Sequence, residues 1–531
     1  MAELEPVMHQ FWGIDELVAL VLGYLERHDL ARVARTSKRL FLLSTPLVWA
    51  RPSFKGLAGL TVEPSAYRPA RLFAQLGRLV WGDTETKANW LGSNASSFER
   101  LLYYGAYVRR LDIIEATNGR AEDFLTVVSI IHQSDSDLTD VFPSLVYLYI
   151  TAATPDFVAQ TVRFASPKLQ YLSLSLIVLG LTDDEPGSRY SDFLPWVLDL
   201  PRLDNLQMYG RTTSASAEAD FLEQTATQFP GLKMLDAPLM LVDASFLGPL
   251  ARMKGLQDLN MQLDSLPSVP PIRCDLPMLK QLNVVYTRVH DLQCLLEAIS
   301  APALTVLQIK SNAIRITGTA AAGNTRAYRN LCTIIARSWP GLQVFTLSGF
   351  PGIITLQTSP TPWVWDTFSP LMQCHDMRTF TVQTPVKVDV SDRDLCDMAN
   401  TWPHLTDLAL AIPEGSIVEQ PKAGINGLIY LAQKCRQLEN IGLSINLECP
   451  ADEAPLSLLP NAAVLRVDVH DCPPVNAIRT ADILKQLFPS LIRFWFCTRK
   501  MVRNNAELDE ADERRMECMK EIKARLGLGN R

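Results

Sequence analysis

Two short runs in this chain hold the residue types of a nucleophilic catalyst, Cys374-His375-Asp376 and His470-Asp471-Cys472. A thiol deprotonated by an imidazole, with a carboxylate orienting the ring, can attack an electrophilic carbon. Such a pair works only where its side chains converge in space, and neighbours along a chain usually point apart. Both runs also stand at the edges of a repeated unit, where polar loop residues are expected, so a structural or surface role is the stronger reading. The chain has no G-x-x-x-x-G-K-[ST] or G-x-G-x-x-G loop, no H-E-x-x-H and no G-x-S-x-G. Ten cysteines lie between Cys274 and Cys518 without a C-x-x-C pair. That suits reduced thiols rather than a zinc site or a disulfide framework. The expectation is a protein with no catalytic residues, no metal and no cofactor.

The elements that would position any functional group are repeated. A helix followed by an aromatic or Leu-Pro-x-Leu-x-x-Leu-x-apolar run returns about fourteen times. A degenerate copy, YVRRLDII, begins at Tyr107, followed by FPSLVYLYI at Phe142, SPKLQYLSL at Ser166, LPRLDNLQM at Leu200 and FPGLKMLDA at Phe229. MKGLQDLNM at Met253, LPMLKQLNV at Leu276, APALTVLQI at Ala301, WPGLQVFTL at Trp339 and HDMRTFTV at His375 continue the series. The last copies are WPHLTDLAL at Trp402, CRQLENIGL at Cys435, LPNAAVLRV at Leu459 and FPSLIRFWF at Phe488. The anchors include Leu145, Leu232, Leu342, Met377 in place of leucine, Leu405, Leu438 and Leu491, with Ala462 at a weaker position. Proline cannot continue a helix and favours extended backbone before it, so the chain leaves the helix at that point. The leucine run then turns alternate apolar residues to one strand face.

A single helix–strand unit cannot bury its own apolar face, whereas a stack of them buries a continuous core. The pattern resembles the helical subtypes of the leucine-rich-repeat family. It implies an α/β fold: a solenoid with a curved parallel sheet inside and helices outside. Length alone, at 531 residues, suggests three or four domains; the repeats predict one long domain instead. Residues beside the inward leucines then face solvent on the concave strand surface. They include Tyr147, Tyr149, Tyr171, Asn205, Gln207, Asp258, Asn260, Gln281, Asn283, Gln308, Lys310, Arg493 and Trp495. Tyrosine, tryptophan and arginine suit interface anchors, and the carboxamides supply directional hydrogen bonds. The alternative is a solvated face with no ligand. Trp363 and Trp365, in TSPTPWVWDTF, either form a binding loop or cover a loose stretch of core.

Ahead of the repeats, Gly13 to Trp49 reads GIDELVALVLGYLERHDLARVARTSKRLFLLSTPLVW. Asp15 opens one helix, with Leu17, Val18, Val21, Leu22 and Leu25 at helical spacing. Asp29 is expected to cap a second helix through Thr36, and Ser37 a third over Lys38 to Leu43, stopped by Pro46. The first helix is apolar nearly all round, more than so short a segment can cover. A partner protein is the natural cover; a helical cap on the repeats is the other reading.

The segment resembles an F-box, the motif that docks on Skp1 in cullin-type ubiquitin ligases. Ile14-Asp15-Glu16-Leu17 stands where the family has Pro-x-Glu-Leu, and Tyr24-Leu25 with His28-Asp29-Leu30 matches its next step. Ser37-Lys38-Arg39 and Val48-Trp49 match its later elements, while Gly13-Ile14 replaces the usual Leu-Pro. The resemblance implies Skp1 contacts drawn from Ile14, Leu17, Val18, Leu20, Val21, Leu25, Leu30, Val33 and Leu40. The Phe-x-Arg-Leu…Val-Arg-x-Leu layout from Ser96 to Ile113, followed by Phe142 to Leu148, resembles F-box proteins expanded in mushroom-forming fungi.

The expected organisation is a tail over 1–12, an F-box-like domain over 13–50 and a connector over 51–95. The repeats follow over 96–498, then a charged cap helix or tail over 499–531, with Met516, Met519, Ile522 and Leu526 on one stripe. Net charge is −7, which argues against nucleic acid as a partner. No apolar run is long enough to span a bilayer, and the N-terminus has no basic signal region. A cytoplasmic or nuclear location is expected. The function expected is the non-catalytic substrate-recognition subunit of an SCF (Skp1–cullin–F-box) ubiquitin ligase, binding Skp1, through it cullin, and an unknown target. Alternatives are a repeat scaffold with no ligase role and a receptor for a small molecule.

Overall fold

The computed structural model describes residues 15–33, 36, 39–40, 43–44, 47, 106–114, 138–152, 161–162, 165–176, 197–198, 200, 202–209, 215–263, 266, 272–311, 325–349, 363–384, 388–411, 421–447, 459–470, 476–497 and 510–528. The chain divides into two compact units, Met1–Leu241 and Val242–Arg531.

The first unit begins with helices α1 (Asp15–Leu22) and α2 (Arg27–Val33). The second helix starts two residues before Asp29, correcting the expectation that Asp29 caps it. The backbone carbonyl of Glu26 accepts from the N–H groups of Asp29 and Leu30 at 3.0 and 2.9 Å. Asp29 therefore lies inside the first turn, where its charge still complements the helix dipole.

Five strands follow: β1 (Arg110–Ile114), β2 (Tyr147–Ala152), β3 (Tyr171–Leu176), β4 (Asn205–Tyr209) and β5 (Met234–Val242). Each pairs in parallel with the next, in a register that aligns Leu111, Leu148, Leu172, Leu206 and Leu235. Helices α3 (Leu138–Val141) and α4 (Ala215–Gln228) lie between strands of this unit.

The second unit holds nine main strands: β6 (Asp258–Leu263), β7 (Gln281–Tyr286), β8 (Val306–Ser311), β9 (Val344–Gly349), β10 (Thr379–Gln383), β11 (Asp407–Ala411), β12 (Asn440–Ser444), β13 (Arg466–His470) and β14 (Arg493–Cys497). They too pair in parallel and in order, with Leu259, Leu282, Leu307, Phe345, Phe380, Leu408, Ile441, Val467 and Phe494 in one row. Its helices are α5 (Leu247–Arg252), α6 (Val289–Ala298), α7 (Thr325–Ser338), α8 (Asp392–Thr401), α9 (Ile425–Lys434), α10 (Ala477–Leu487) and α11 (Glu510–Leu526). The fourteen strands with flanking helices are the α/β leucine-rich-repeat arrangement the sequence predicts.

The proline rule operates as expected. The Trp402 N–H bonds the Met398 carbonyl at 2.8 Å as the last helical bond, Pro403 follows, and Leu405 N–H turns back to the Trp402 carbonyl at 3.1 Å. The same turn recurs at Phe229, Trp339 and Phe488. Burial alternates along most strands, with breaks at Ser173 in β3, at Pro238–Leu239 in β5 and at Ser444 in β12. Leu206 and Met208 are buried, while Asn205, Gln207 and Tyr209 are half-buried on the opposite, open face.

One repeat has a different register from the one expected. In LPNAAVLRV the buried anchor is Val464, not Ala462, which is exposed. Asn461 occupies the place that Trp402 holds two units earlier. Its Nδ2 donates to the carbonyls of Ala432 at 3.2 Å and Cys435 at 2.8 Å. A carboxamide that bonds inward replaces the aromatic, so the proline no longer marks the turn.

The tryptophan insertion resolves to core. Trp363 and Trp365 are both buried, in a cluster with Tyr328, Phe368, Phe380 and Trp402 at ring separations of 4.5 to 6.3 Å. The terminal helix α11 spans Glu510–Leu526, within the stretch expected to form a cap helix or tail. It buries Met519 and Ile522.

Candidate functional site

The first candidate surface is the N-terminal helical segment. Val18, Leu22 and Leu30 form its core, with Leu25, Val33, Leu40, Leu43 and Leu47 packed against them. Val18 and Leu30, expected among the docking residues, are thus internal. Leu17, Leu20 and Val21 face outward, Leu20 being 60% exposed, and Tyr24 beside them is 85% exposed. Ile14 lies outside the described residues. Asp15 at the start of α1 is tied to the Arg39 guanidinium, whose Nε donates at 2.7 Å. This exposed ion pair links the start of α1 to Arg39 and contributes at most about 1 kcal/mol.

The second surface is the open face of the strands. All thirteen residues expected there lie on that side. Tyr147, Gln308, Lys310, Arg493 and Trp495 are exposed; Tyr149, Tyr171, Asn205, Gln207, Asp258, Asn260, Gln281 and Asn283 are half-buried.

In the first unit the structure joins several of them into one network centred on Gln207. Its Oε1 accepts from the hydroxyls of Tyr171 at 2.8 Å and Ser173 at 2.9 Å. Its Nε2 donates to Tyr209 and Asp236 at 2.5 Å, and the Tyr209 hydroxyl donates to Asp236 at 2.8 Å. Burial and the Asp236 carboxylate push the Tyr209 hydroxyl up to about 12, so it remains a donor. The Tyr149 and Tyr171 rings stack at 5.0 Å, and the Arg110 guanidinium sits 4.2 Å over Tyr149. Sequence reading missed Arg110, Tyr209 and Asp236, although the strand alternation that selected Tyr149 and Gln207 also points to them.

In the second unit, Asn260, Asn283 and Gln308 lie side by side on β6, β7 and β8. At the last strand the Trp495 ring has two cations over it, the Arg493 guanidinium at 5.6 Å and Lys523 Nζ of α11 at 5.3 Å. Lys523 comes from a separate element, and no local pattern could have joined it to Trp495.

The cysteine–histidine runs form no catalytic pair among the described residues. Cys374 is buried and its Sγ donates to the Trp339 carbonyl at 3.5 Å, whereas His375 and Asp376 are exposed on the following turn. Burial raises the Cys374 thiol to about 11, the reverse of what a nucleophile needs. Asp471 and Cys472 lie outside the described residues. Among the described residues no group of three or more His, Cys, Asp or Glu is placed to hold a metal ion, and no helix is long and apolar enough to cross a membrane.

The small core and outward apolar face of the first segment agree with its family match. Residues 15–55 match the model of the F-box-like family. None of the curated proteins matches the chain. Among solved structures it is similar to the Rad7–Elc1 complex of yeast, at 12% identity over 84% of this chain and 97% of that one, with a TM-score of 0.36. A Bacteroides fragilis protein is similar at 12% identity over 65% and 79%, with a TM-score of 0.31. The TLR13–ssRNA13 complex is similar at 12% identity over 74% and 44%, with a TM-score of 0.30. The fold assignment rests on the strand ladders themselves. The F-box-like match extends a few residues past Ala50, where the helical segment was expected to end.

Proposed function

We propose that this protein is the non-catalytic substrate-recognition subunit of an SCF-type ubiquitin ligase, of the lineage expanded in mushroom-forming fungi. The F-box-like segment binds Skp1 and, through it, cullin; the open face of the repeats binds a target protein. Transfer chemistry lies in the partner subunits. The chain acts by proximity, because holding the target beside the ubiquitin-loaded enzyme raises the effective concentration of its lysines.

The observation that carries this reading is the division of α1. Its inner residues, Val18 and Leu22, complete a small core, and Leu17, Leu20, Val21 and Tyr24 remain outward on a segment matching the F-box-like model. Leu17, Leu20 and Val21 on two turns of α1, with Tyr24 in the turn that follows, form an apolar patch that suits a protein cover.

The test is capture of Skp1 and cullin by the full chain and by its Leu20→Glu variant. Wild type is expected to retain both, and Leu20→Glu to lose both while remaining folded. A wild-type chain that retains no Skp1 ends the ligase reading and leaves a repeat scaffold without a ubiquitin role.

A further inference from the structure

The most unusual electrostatic feature of the open face lies at its last strand. Trp495 is 39% exposed there, and two cations from different elements share its ring: Arg493 from β14 and Lys523 from α11. Each is attracted to the ring quadrupole, but the two repel one another. Neither has a carboxylate partner among the described residues. The neighbouring charges on β13 do not compensate them. Asp468, beside Trp495 in the register, is paired through its Oδ2 to Arg466, whose Nε donates at 2.8 Å and whose terminal nitrogen lies at 2.6 Å, while its Oδ1 is buried without a hydrogen-bond partner and faces neither cation within bonding distance among the described residues. Among the described residues two positive charges are therefore left over at this spot, in a chain whose net charge is −7.

We infer that Arg493, Trp495 and Lys523 form a docking site for an acidic segment of the target protein. This rests on the reading of the open face as the target-binding surface. Carboxylate side chains of the segment meet the two cations and relieve their repulsion, and an apolar side chain between them lies on the exposed part of the indole. An aromatic centre with a flanking arginine has the composition of an interface hot spot. An acidic peptide suits the site better than nucleic acid. A phosphate backbone is bound by a longer track of cations, and this site offers two among the described residues, in an otherwise acidic chain. Lys523 gives α11 a second role: beyond covering the last repeat, it supplies half of the charge.

The test uses the full chain and a fluorescein-labelled 12-residue peptide alternating Glu with Leu around a central Phe, followed by anisotropy. Controls are the same peptide with Lys for Glu and a single-stranded 12-nucleotide RNA. Wild type is expected to bind the acidic peptide and not the lysine version, with affinity falling as salt rises. The double variant Arg493→Gln/Lys523→Gln should weaken binding about tenfold or more, and Lys280→Gln, at an exposed position before β7, should leave it unchanged. Trp495→Ala should weaken it several-fold and Trp495→Phe less, which separates loss of the ring from loss of the fold. The inference is overturned if wild type does not bind the acidic peptide, if the double variant binds it as well as wild type, or if RNA binds more tightly and is lost in the same variants. Skp1 capture by the same proteins separates the two readings. A chain that captures Skp1 and fails the peptide test overturns only the docking site. One that binds the peptide and captures no Skp1 overturns the ligase reading and leaves the site.

Discussion

Gly427 is a position where helix propensity and tertiary packing predict opposite signs. It sits in the first turn of α9, and replacing a helical glycine by alanine ordinarily stabilises by about 0.8–1 kcal/mol. Here the new Cβ would stand 2.4 Å from Cδ1 of Leu395 and 2.8 Å from Oδ1 of Asp392, both on α8. Leu395 is fully buried and has little room to retreat. The Asp392 carboxylate caps α9 by accepting from the N–H groups of Gly424 at 2.6 Å and Gly427 at 2.9 Å. Overpacking a filled core costs about 1–3 kcal/mol, and displacing a helix cap costs about 1 kcal/mol. Gly427→Ala should therefore destabilise this helix pair by about 1–3 kcal/mol after the propensity gain is subtracted. In an Asp392→Ala background the same change should cost less, because one of the two obstructing atoms and the cap are already gone. A chain of two units need not unfold in one step, so the measurement is amide hydrogen exchange of α9 across a urea series. Increased protection of α9 in Gly427→Ala would refute the packing argument and leave propensity as the dominant effect.

Other outcomes follow from single residues. Leu20→Glu should leave the F-box-like segment folded within about 0.5 kcal/mol, whereas Val18→Asp, placing a charge in its core, should cost about 3 kcal/mol or more; limited proteolysis distinguishes them. Trp402 is fully buried and its Nε1 has no hydrogen-bond partner. Trp402→Phe should thus cost under about 1.5 kcal/mol, since it also removes an unsatisfied donor, against about 3–5 kcal/mol for Trp402→Ala in thermal melts. Cys374, raised by burial to about 11, is thiolate in only about one molecule in a thousand at pH 8, against about one in four for an ordinary thiol. Its alkylation in the native chain, read by mass spectrometry, should be at least about a hundredfold slower than after unfolding. Burial works against the Asp204 carboxylate, but the hydrogen bonds from Lys233 at 3.0 Å and Arg202 at 3.2 Å outweigh it and hold its pKa below the usual value. Its stabilisation is complete above the ordinary carboxylate pKa and lost as pH falls through the lowered one. Protection around Lys233 should drop on acidification below about pH 4, and Asp204→Asn should remove that component.

Much of this protein was legible because its information is local. The recurring run located thirteen of the fourteen main strands in register and the strand at Arg466–His470 two residues off, and period-two alternation placed Tyr149, Gln207 and Trp495 on the open face. The expectation failed where a residue acts through distant partners. Asn461 replaces an aromatic by donating to carbonyls of the preceding repeat, which moved the anchor to Val464 in a way no local pattern signals. Asp29 was misplaced because the chain's turn at Glu26, rather than the nearest good capping side chain, starts α2. Cys374 drew attention through its neighbours in sequence, yet its actual neighbour is the carbonyl of Trp339, one repeat earlier.

By itself the sequence determined the repeat, the inward and outward faces of each strand, and the identity of the N-terminal segment as F-box-like. The repeat and the two strand faces follow from covalent order and from periodicities of two and about 3.6 residues, whereas the F-box-like identity rests on the resemblance of its motif residues to that family and on the family match. Only the tertiary structure decided which apolar residues of α1 are core and which are surface, because a helix apolar all round has no preferred side until something packs against it. It alone brought Lys523 to Trp495, gathered Tyr171, Tyr209 and Asp236 around Gln207, and made Trp363 and Trp365 core. Apart from the Gln207–Tyr209 bond, these are contacts between residues of different elements, set by how successive repeats stack.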